Sequence, residues 1–253
     1  MRKMMKPFLV ALRFLTRFPV SWNNPTDRQV GQSLLHYPTV GLLMGLCLAG
    51  LAWLLGEGVL AAALIIVAWV VLTGLMHMDG LADTADAWIG GLGDRERTLE
   101  IMKDPRCGPA GVAALILVLL VKFAAVLELL ALLGQGAWMA LVLAPLLGRA
   151  ALPLLFLTTD YVRPGGMGSL LAEHFPRPAA WVVTVMVALA VLAVPLGLGL
   201  GWVGAWALVG AGLVFILGRA WMRHRIGGTT GDTAGALAEC VETGVLVAVA
   251  LMI

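Results

Sequence analysis

The sequence predicts an all-α, polytopic integral membrane protein: about seven membrane-crossing helices behind a basic amphipathic N-terminal helix. Three observations carry that reading. Apolar residues make up 60% of the 253-residue chain and charged residues only 13%, with a mean hydropathy of +0.95. This charged share is about half that of a soluble domain, and a compact soluble chain could not hide so much apolar surface. The apolar residues also fall into seven runs, each near the roughly 17–25 residues a helix needs to cross a bilayer. Finally, the Lys and Arg residues gather in alternate connections. Together these exclude a disordered chain, a nucleic-acid-binding domain and an ordinary cytosolic enzyme.

The elements follow in order within one domain, 1–253. In the basic segment 1–30, Lys6, Arg13 and Arg17 lie within about 40° of one another at 100° per residue. Phe8, Leu12, Phe14, Leu15 and Phe18 take the remaining surface. Such a helix lies on a membrane surface, against anionic lipid or beside a phosphorylated substrate. Arg13 and Arg17 interrupt the apolar stretch, which argues against a signal peptide. The apolar runs are 39–56, 59–76, 111–133, 137–157, 179–199, 203–218 and 234–253. Pro145, Pro153 and Pro195 fall inside them, as membrane helices tolerate.

The connections at 57–58, 134–136 and near Gly201 are short, whereas 77–110, 158–178 and 219–233 are long and hold nearly all the charge. With a cytoplasmic N-terminus, 15 of the 17 basic residues face inward, and only Lys122 and Arg149 fall within spans. The positive-inside rule therefore predicts an inside N-terminus and an outside C-terminus. Cys47, Cys107 and Cys240 are scattered and read as small apolar packing residues.

The chemistry is expected in the long connections. In HMDGLADTAD (77–86), Asp79, Asp83 and Asp86 stand at i, i+4 and i+7, one helical face roughly 60° wide. Three carboxylates at the edge of a low-dielectric membrane call for a cation. Oxygen ligands suit Mg²⁺, with Mn²⁺ as the alternative ion. The plainer reading is a solvated loop helix. His77, about 160° from that face, suits packing or hydrogen bonding at least as well as ligation.

The second cluster, LEIMKDPRCGPAG (99–111), sets Asp104 beside Lys103 and Arg106. It could hold a diphosphate or simply end a helix. The third, GGTTGDTAGALAECVE (227–242), places Gly227, Gly228, Gly231, Asp232 and Thr233 before a helix, a usable phosphate cradle. Arg149, about 12 Å below the inner edge, reads equally as a structural counter-charge or a phosphate ligand. For Lys122 the structural reading is favoured, with Glu128 as its partner.

HMDGLADTAD, EIMKDPRCGPAG and GGTTGDTAGA, in this order and among these apolar runs, resemble the cobalamin synthase (adenosylcobinamide-GDP ribazoletransferase) family. RFLTRFPV and HYPTVGLLMG extend the resemblance over essentially the whole chain. It implies a Mg²⁺-dependent transfer in a bacterial cytoplasmic membrane, with the site facing the cytoplasm. Adenosylcobinamide-GDP would give its cobinamide-phosphate part to α-ribazole or α-ribazole 5′-phosphate, releasing GMP. Asp79, Asp83 and Asp86 match the family's acidic motif as metal ligands. Asp104 and Asp232 match its other acidic positions, as a second metal site or for activating the hydroxyl. Lys103, Arg106, Arg149, Gly227, Gly228, Gly231 and Thr233 are the substrate-binding candidates. The partners implied are these substrates and the bilayer, no nucleic acid, and a homo-oligomer or a complex with other cobalamin-assembly enzymes.

Two rival classes fit the sequence less well. CDP-alcohol phosphotransferases continue from Asp-Gly through Ala-Arg to Gly-x₃-Asp-x₃-Asp, whereas here Asp83 stands where the Arg would be. A transporter would gather its charges near the midplane rather than at one edge.

Overall fold

A computed structural model describes residues 2–20 and 24–252; residues 1, 21–23 and 253, which belong to the predicted 1–30 and 234–253 segments, lie outside the described residues. The helices are α1 (Arg2–Leu15), α2 (Asp27–Ser33), α3 (Tyr37–Leu55), α4 (Val59–Thr73), α5 (Met76–Gly90) and α6 (Arg95–Ile101). They continue with α7 (Pro109–Leu130), α8 (Trp138–Thr158), α9 (Gly166–Glu173), α10 (Arg177–Gly197), α11 (Gly201–Ile226) and α12 (Gly231–Ala250). No strand occurs among the described residues, only an isolated parallel bridge between Tyr161 and Thr229.

Six segments are long and apolar enough to span a membrane, and the bent pair α4–α5 makes a seventh. The protein is a multi-pass, all-α membrane protein. α8 forms its centre, largely buried between α3, α10, α11 and α12. On α7, α10 and α11, side chains such as Leu117, Val182 and Leu213 are exposed, as lipid-facing residues must be.

Three features differ from the sequence reading. The second apolar run stops at Thr73, where the chain turns by 90°. Gly74 (φ +63°) and Leu75 (φ +67°) are both left-handed, a conformation that costs glycine nothing but strains leucine. Arg17 holds the break: its backbone N–H donates to the Leu72 carbonyl (2.9 Å) and its guanidinium to that of Gly74 (3.1 Å). Arg17 thus lies beyond the end of α1 and works as a clamp rather than on a lipid-facing stripe. α4 is the apolar half of the pair, and α5, which carries Asp79, Asp83 and Asp86, lies at the end of the bundle.

α1 itself is docked, not merely resting on the membrane. Ala11 and Leu15 are fully buried against α2 and α3, while Lys6 and Arg13 remain exposed. The long connections are also largely helical: α5 and α6 fill the first, α9 the second, and α11 runs on to Ile226 in the third.

Deep in the bundle four charges meet. Lys122 of α7 donates to Glu239 and Glu242 of α12, each at 2.5 Å, and its ammonium stands 4.7 Å over the Trp69 ring of α4. Arg149 of α8 pairs with the other oxygen of Glu242. All four side chains are at most 4% exposed. Lys122 is therefore structural, as expected, but its partners lie on the last helix rather than at Glu128. Two cations and two carboxylates balance where an unpaired charge would be prohibitive.

Removing one member should be far worse than removing two. Glu242→Ala, which leaves Arg149 buried without its counter-charge, should lose about 3–5 kcal/mol. The double variant Arg149→Met with Glu242→Leu should recover most of that loss. Thermal unfolding in detergent compares them.

Candidate active site

The site is built where α5 crosses α12. A Cβ added to Gly80 would sit 2.6 Å from the Asp232 carbonyl oxygen, and one added to Gly235 would sit 3.3 Å from the His77 Cα. A side chain at Gly80 would force the two backbones apart, and one at Gly235 would crowd them. The crossing sets Asp79 and Asp83 beside Asp232.

The start of α12 is fixed locally. Thr230 and Thr233 form a capping box: the Thr233 N–H donates to Thr230 Oγ1 (3.2 Å) and the Thr230 N–H to Thr233 Oγ1 (2.9 Å). Val162 N–H donates to the Thr229 carbonyl and Thr229 N–H to that of Asp160, both at 2.9 Å. The segment after α8 is thereby zipped to the turn before α12. Arg219 secures that segment further, donating to Thr158 Oγ1 (3.1 Å), Thr159 Oγ1 (3.0 Å) and the Thr158 carbonyl (2.5 Å). A cation at a helix C-terminus also meets the negative end of its dipole.

Between these elements lies a cavity of about 620 Å³. Its polar wall comprises His77, Asp79, Lys103, Tyr161, Arg163 and Asp232. Phe14, Tyr37 and Phe156 supply aromatic surface, with Tyr37 stacked on Phe14 and Tyr161 on Phe156. The Arg163 guanidinium donates to Asp232 at 2.5 Å, and both side chains keep partial exposure. His77 is 4% exposed, and its Nδ1 has no hydrogen-bond partner.

The structure sorts the expected residues. Asp79, Lys103, Gly231 and Asp232 line the cavity. Asp83 sits one turn from Asp79, half-buried, and is influenced by Asp79, Asp232 and Asp86. Asp86 is turned to another task, because Gly108 N–H and Gly111 N–H at the start of α7 donate to its two oxygens at 2.7 and 2.8 Å. The three carboxylates share one helix face as predicted, yet Asp86 faces a helix terminus. Among the described residues, no three His, Cys, Asp or Glu side chains form a metal-holding group.

Other candidates are not brought to the cavity. Asp104 is engaged by the exposed Arg106, whose Nε and Nη2 donate at 2.9 and 2.6 Å. Those hydrogen bonds hold its carboxyl down at about 2. Arg149 has no exposed surface and is committed to the ion cluster. Gly227 ends α11 with φ +76°, Gly228 packs on the Asp160 carbonyl, and the buried Thr233 is consumed by the capping box.

Arg163 and Tyr161 are the residues that sequence reading missed. Arg163 entered it only as a topology marker. The signal was present as a Tyr-Val-Arg-Pro-Gly-Gly turn directly after an apolar run (161–166), in the same charged connection class as the motifs.

The electrostatics are crowded. Burial, then Asp79, Asp232 and Asp86, push the Asp83 carboxyl from 3.8 up to about 6, against the pull of Arg163. A raised carboxyl pKa means that the folded protein holds this proton more tightly than the unfolded chain. The stabilisation from Asp83 is thus complete below 3.8 and lost as the pH rises through about 6. In the absence of divalent cations the thermal midpoint should fall across that window, and Asp83→Asn should flatten this part of the slope.

A cavity lined by two carboxylates and two cations, at one end of a bundle of membrane helices, defines a class: a multi-pass membrane protein with a charged site at one end of its bundle. Comparison gives the family. A family model described as cobalamin-5-phosphate synthase matches residues 7–250, and the chain belongs to this family. It is 55% identical, over 98% of its length and 99% of the relative's, to an adenosylcobinamide-GDP ribazoletransferase of Stutzerimonas stutzeri. Identity is 54% to the enzyme of that name from Pseudomonas putida KT2440 (98% and 99% covered). It is 53% to the one from Pseudomonas aeruginosa PAO1 (99% and 100% covered). No solved structure matches the chain.

Proposed function

We propose that this chain is an adenosylcobinamide-GDP ribazoletransferase, acting at the cobalamin-synthase step late in cobalamin biosynthesis. The cobinamide-phosphate part of adenosylcobinamide-GDP passes to α-ribazole or its 5′-phosphate. GMP leaves, and adenosylcobalamin or its 5′-phosphate forms. Full-length relatives of that name, at 53–55% identity, support the reading. The observation that carries it is the convergence of Asp79, Lys103 and Asp232, one from each motif, on a single cavity.

Each lining group has a place in the transfer. Lys103 and Arg163 supply positive charge for the diphosphate, Arg163 by exchanging Asp232 for substrate oxygen. The donor set suits Mg²⁺, because crowded carboxylate oxygens favour a hard cation. Such an ion is usually held by one or two carboxylates together with substrate phosphates. Asp79 and Asp83 would hold it, with Asp232 at hand, in place of the triad with Asp86. When bound, it supplies charge neutralisation on the phosphoryl oxygens and the leaving GMP.

The acceptor hydroxyl oxygen forms a bond to the phosphorus that bears the cobinamide, and the bond from that phosphorus to GMP breaks. The hydroxyl proton passes to a wall carboxylate. Asp232 suits this better than Asp104, which lies off the cavity in an ion pair with Arg106. No Ser-His or Cys-His pair lines the cavity among the described residues, so direct displacement is favoured over a covalent intermediate. The basic residues at this end of the bundle support a cytoplasmic N-terminus and a site facing the cytoplasm from a bacterial inner membrane.

Purified protein with Mg²⁺ should release GMP from adenosylcobinamide-GDP only when α-ribazole or its phosphate is added. CMP release from a CDP-alcohol, with no reaction on the corrinoid, would assign it to the rival phosphotransferase class. Asp79→Asn and Asp83→Asn should each raise the Mg²⁺ requirement or abolish turnover, while Asp86→Asn should act mainly on stability. A chiral thiophosphate substrate should show inversion at the transferred phosphorus, and net retention would establish a double displacement.

A further inference from the structure

A second and larger concavity, about 1240 Å³, opens between α1, α2, α3, α8 and α10, apart from the acidic site. Its two ends differ in chemistry. One end carries Lys6 of α1, Arg28, Gln29 and Gln32 of α2, and His36 just before α3. No Asp or Glu lines it among the described residues. The rest is apolar. Val182, Val183, Met186, Val187 and Ala190 form a single stripe of α10 at i, i+3 and i+4 spacing, facing Leu42 of α3 and Leu146 of α8.

Length and position narrow the occupant. The lining stretch of α10, from Ala179 to Ala190, is roughly 16 Å long at 1.5 Å per residue. One leaflet of a bilayer's hydrocarbon core is about 15 Å deep. The groove therefore runs the depth of a single leaflet. Val182 and Met186 are 62% and 61% exposed, so its side stands open to the surrounding membrane. Its basic end lies where α3 and α10 begin and α8 approaches its C-terminus, the end of the bundle that also carries the acidic cavity.

We infer that this groove is a binding site for one anionic glycerophospholipid. The phosphate headgroup sits against Arg28 and Lys6, and an acyl chain lies along the α10 stripe between Leu42 and Leu146. A cationic end joined to a leaflet-deep apolar trough complements a molecule with a phosphate at one end and an aliphatic chain at the other. A polar, amide-rich corrinoid would not match the apolar trough.

The test uses the full chain reconstituted in phosphatidylcholine with phosphatidylglycerol added, extracted in mild detergent and weighed intact by native mass spectrometry. The parent should retain one phosphatidylglycerol in preference to phosphatidylcholine, and excess inorganic phosphate should not displace it. Arg28→Gln and Lys6→Gln should each lower that preference about fivefold, the expected effect of one cation at a membrane surface. Arg28→Lys should keep it. Ala190→Trp, which fills the deep end of the trough, should reduce retention of both lipids. Arg223→Gln, an exposed cation outside the groove, should change nothing. Thermal midpoints of the variants establish that they remain folded.

Equal retention of both lipids by the parent would overturn the proposal, as would a preference indifferent to Arg28→Gln and Ala190→Trp. So would displacement of the lipid by the corrinoid substrate. Met186→Cys cross-linking two copies efficiently would give the groove to a dimer instead.

Discussion

Everything at the acidic site depends on where α12 stands, and α12 is held by charges buried in the membrane. Glu239 and Glu242 meet Lys122 from α7 and Arg149 from α8, all of them buried. Such contacts have one workable geometry, because each alternative leaves a full charge unpaired. With α12 fixed in rotation and depth, Gly235 faces His77 and Gly80 meets the Asp232 backbone. The carboxylates of α5 and α12 then come together without any direct attraction between them. The ion cluster thus fixes the geometry in which like charges are collected at the end of the bundle.

The helical architecture was legible because it follows from composition and run length, and lipid enforces both. The acidic face of α5 was equally plain, since i, i+4 and i+7 spacing is a local property. What those carboxylates face was not. Asp86 turns to Gly108 and Gly111, 22 and 25 residues away, and helical periodicity says nothing about a neighbouring helix terminus. The Lys122 partners lie 117 and 120 residues along the chain, beyond any local rule, so the nearer Glu128 was a natural and mistaken choice. Arg163 escaped notice for the same reason. Its meaning depends on the bridge from Tyr161 to Thr229 and on the ion pair with Asp232 across 69 residues.

The bend after α4 shows how local irregularity serves the site. A straight continuation would carry the HMDGLADTAD segment along the line of the membrane span. Two left-handed residues and the Arg17 clamp turn it by 90° instead, across the start of α12. The strain at Leu75 is localised beside the very residues whose direction it determines. The N-terminal segment thereby contributes to the cavity twice, through the clamp and through Phe14 in the wall.

The ion cluster also sets an order of events during biosynthesis. Lys122 enters the bilayer 120 residues before Glu242 leaves the ribosome, a delay of roughly 6–24 seconds at ~5–20 residues per second. During that interval two cations stand in the half-made bundle without their carboxylates. Arrival of the last helix neutralises them and completes the cavity wall in the same event. A chain that stops short of α12 therefore lacks both the counter-charges of the core and the Asp232 wall of the site. Settling of the core and closure of the cavity wall are one step.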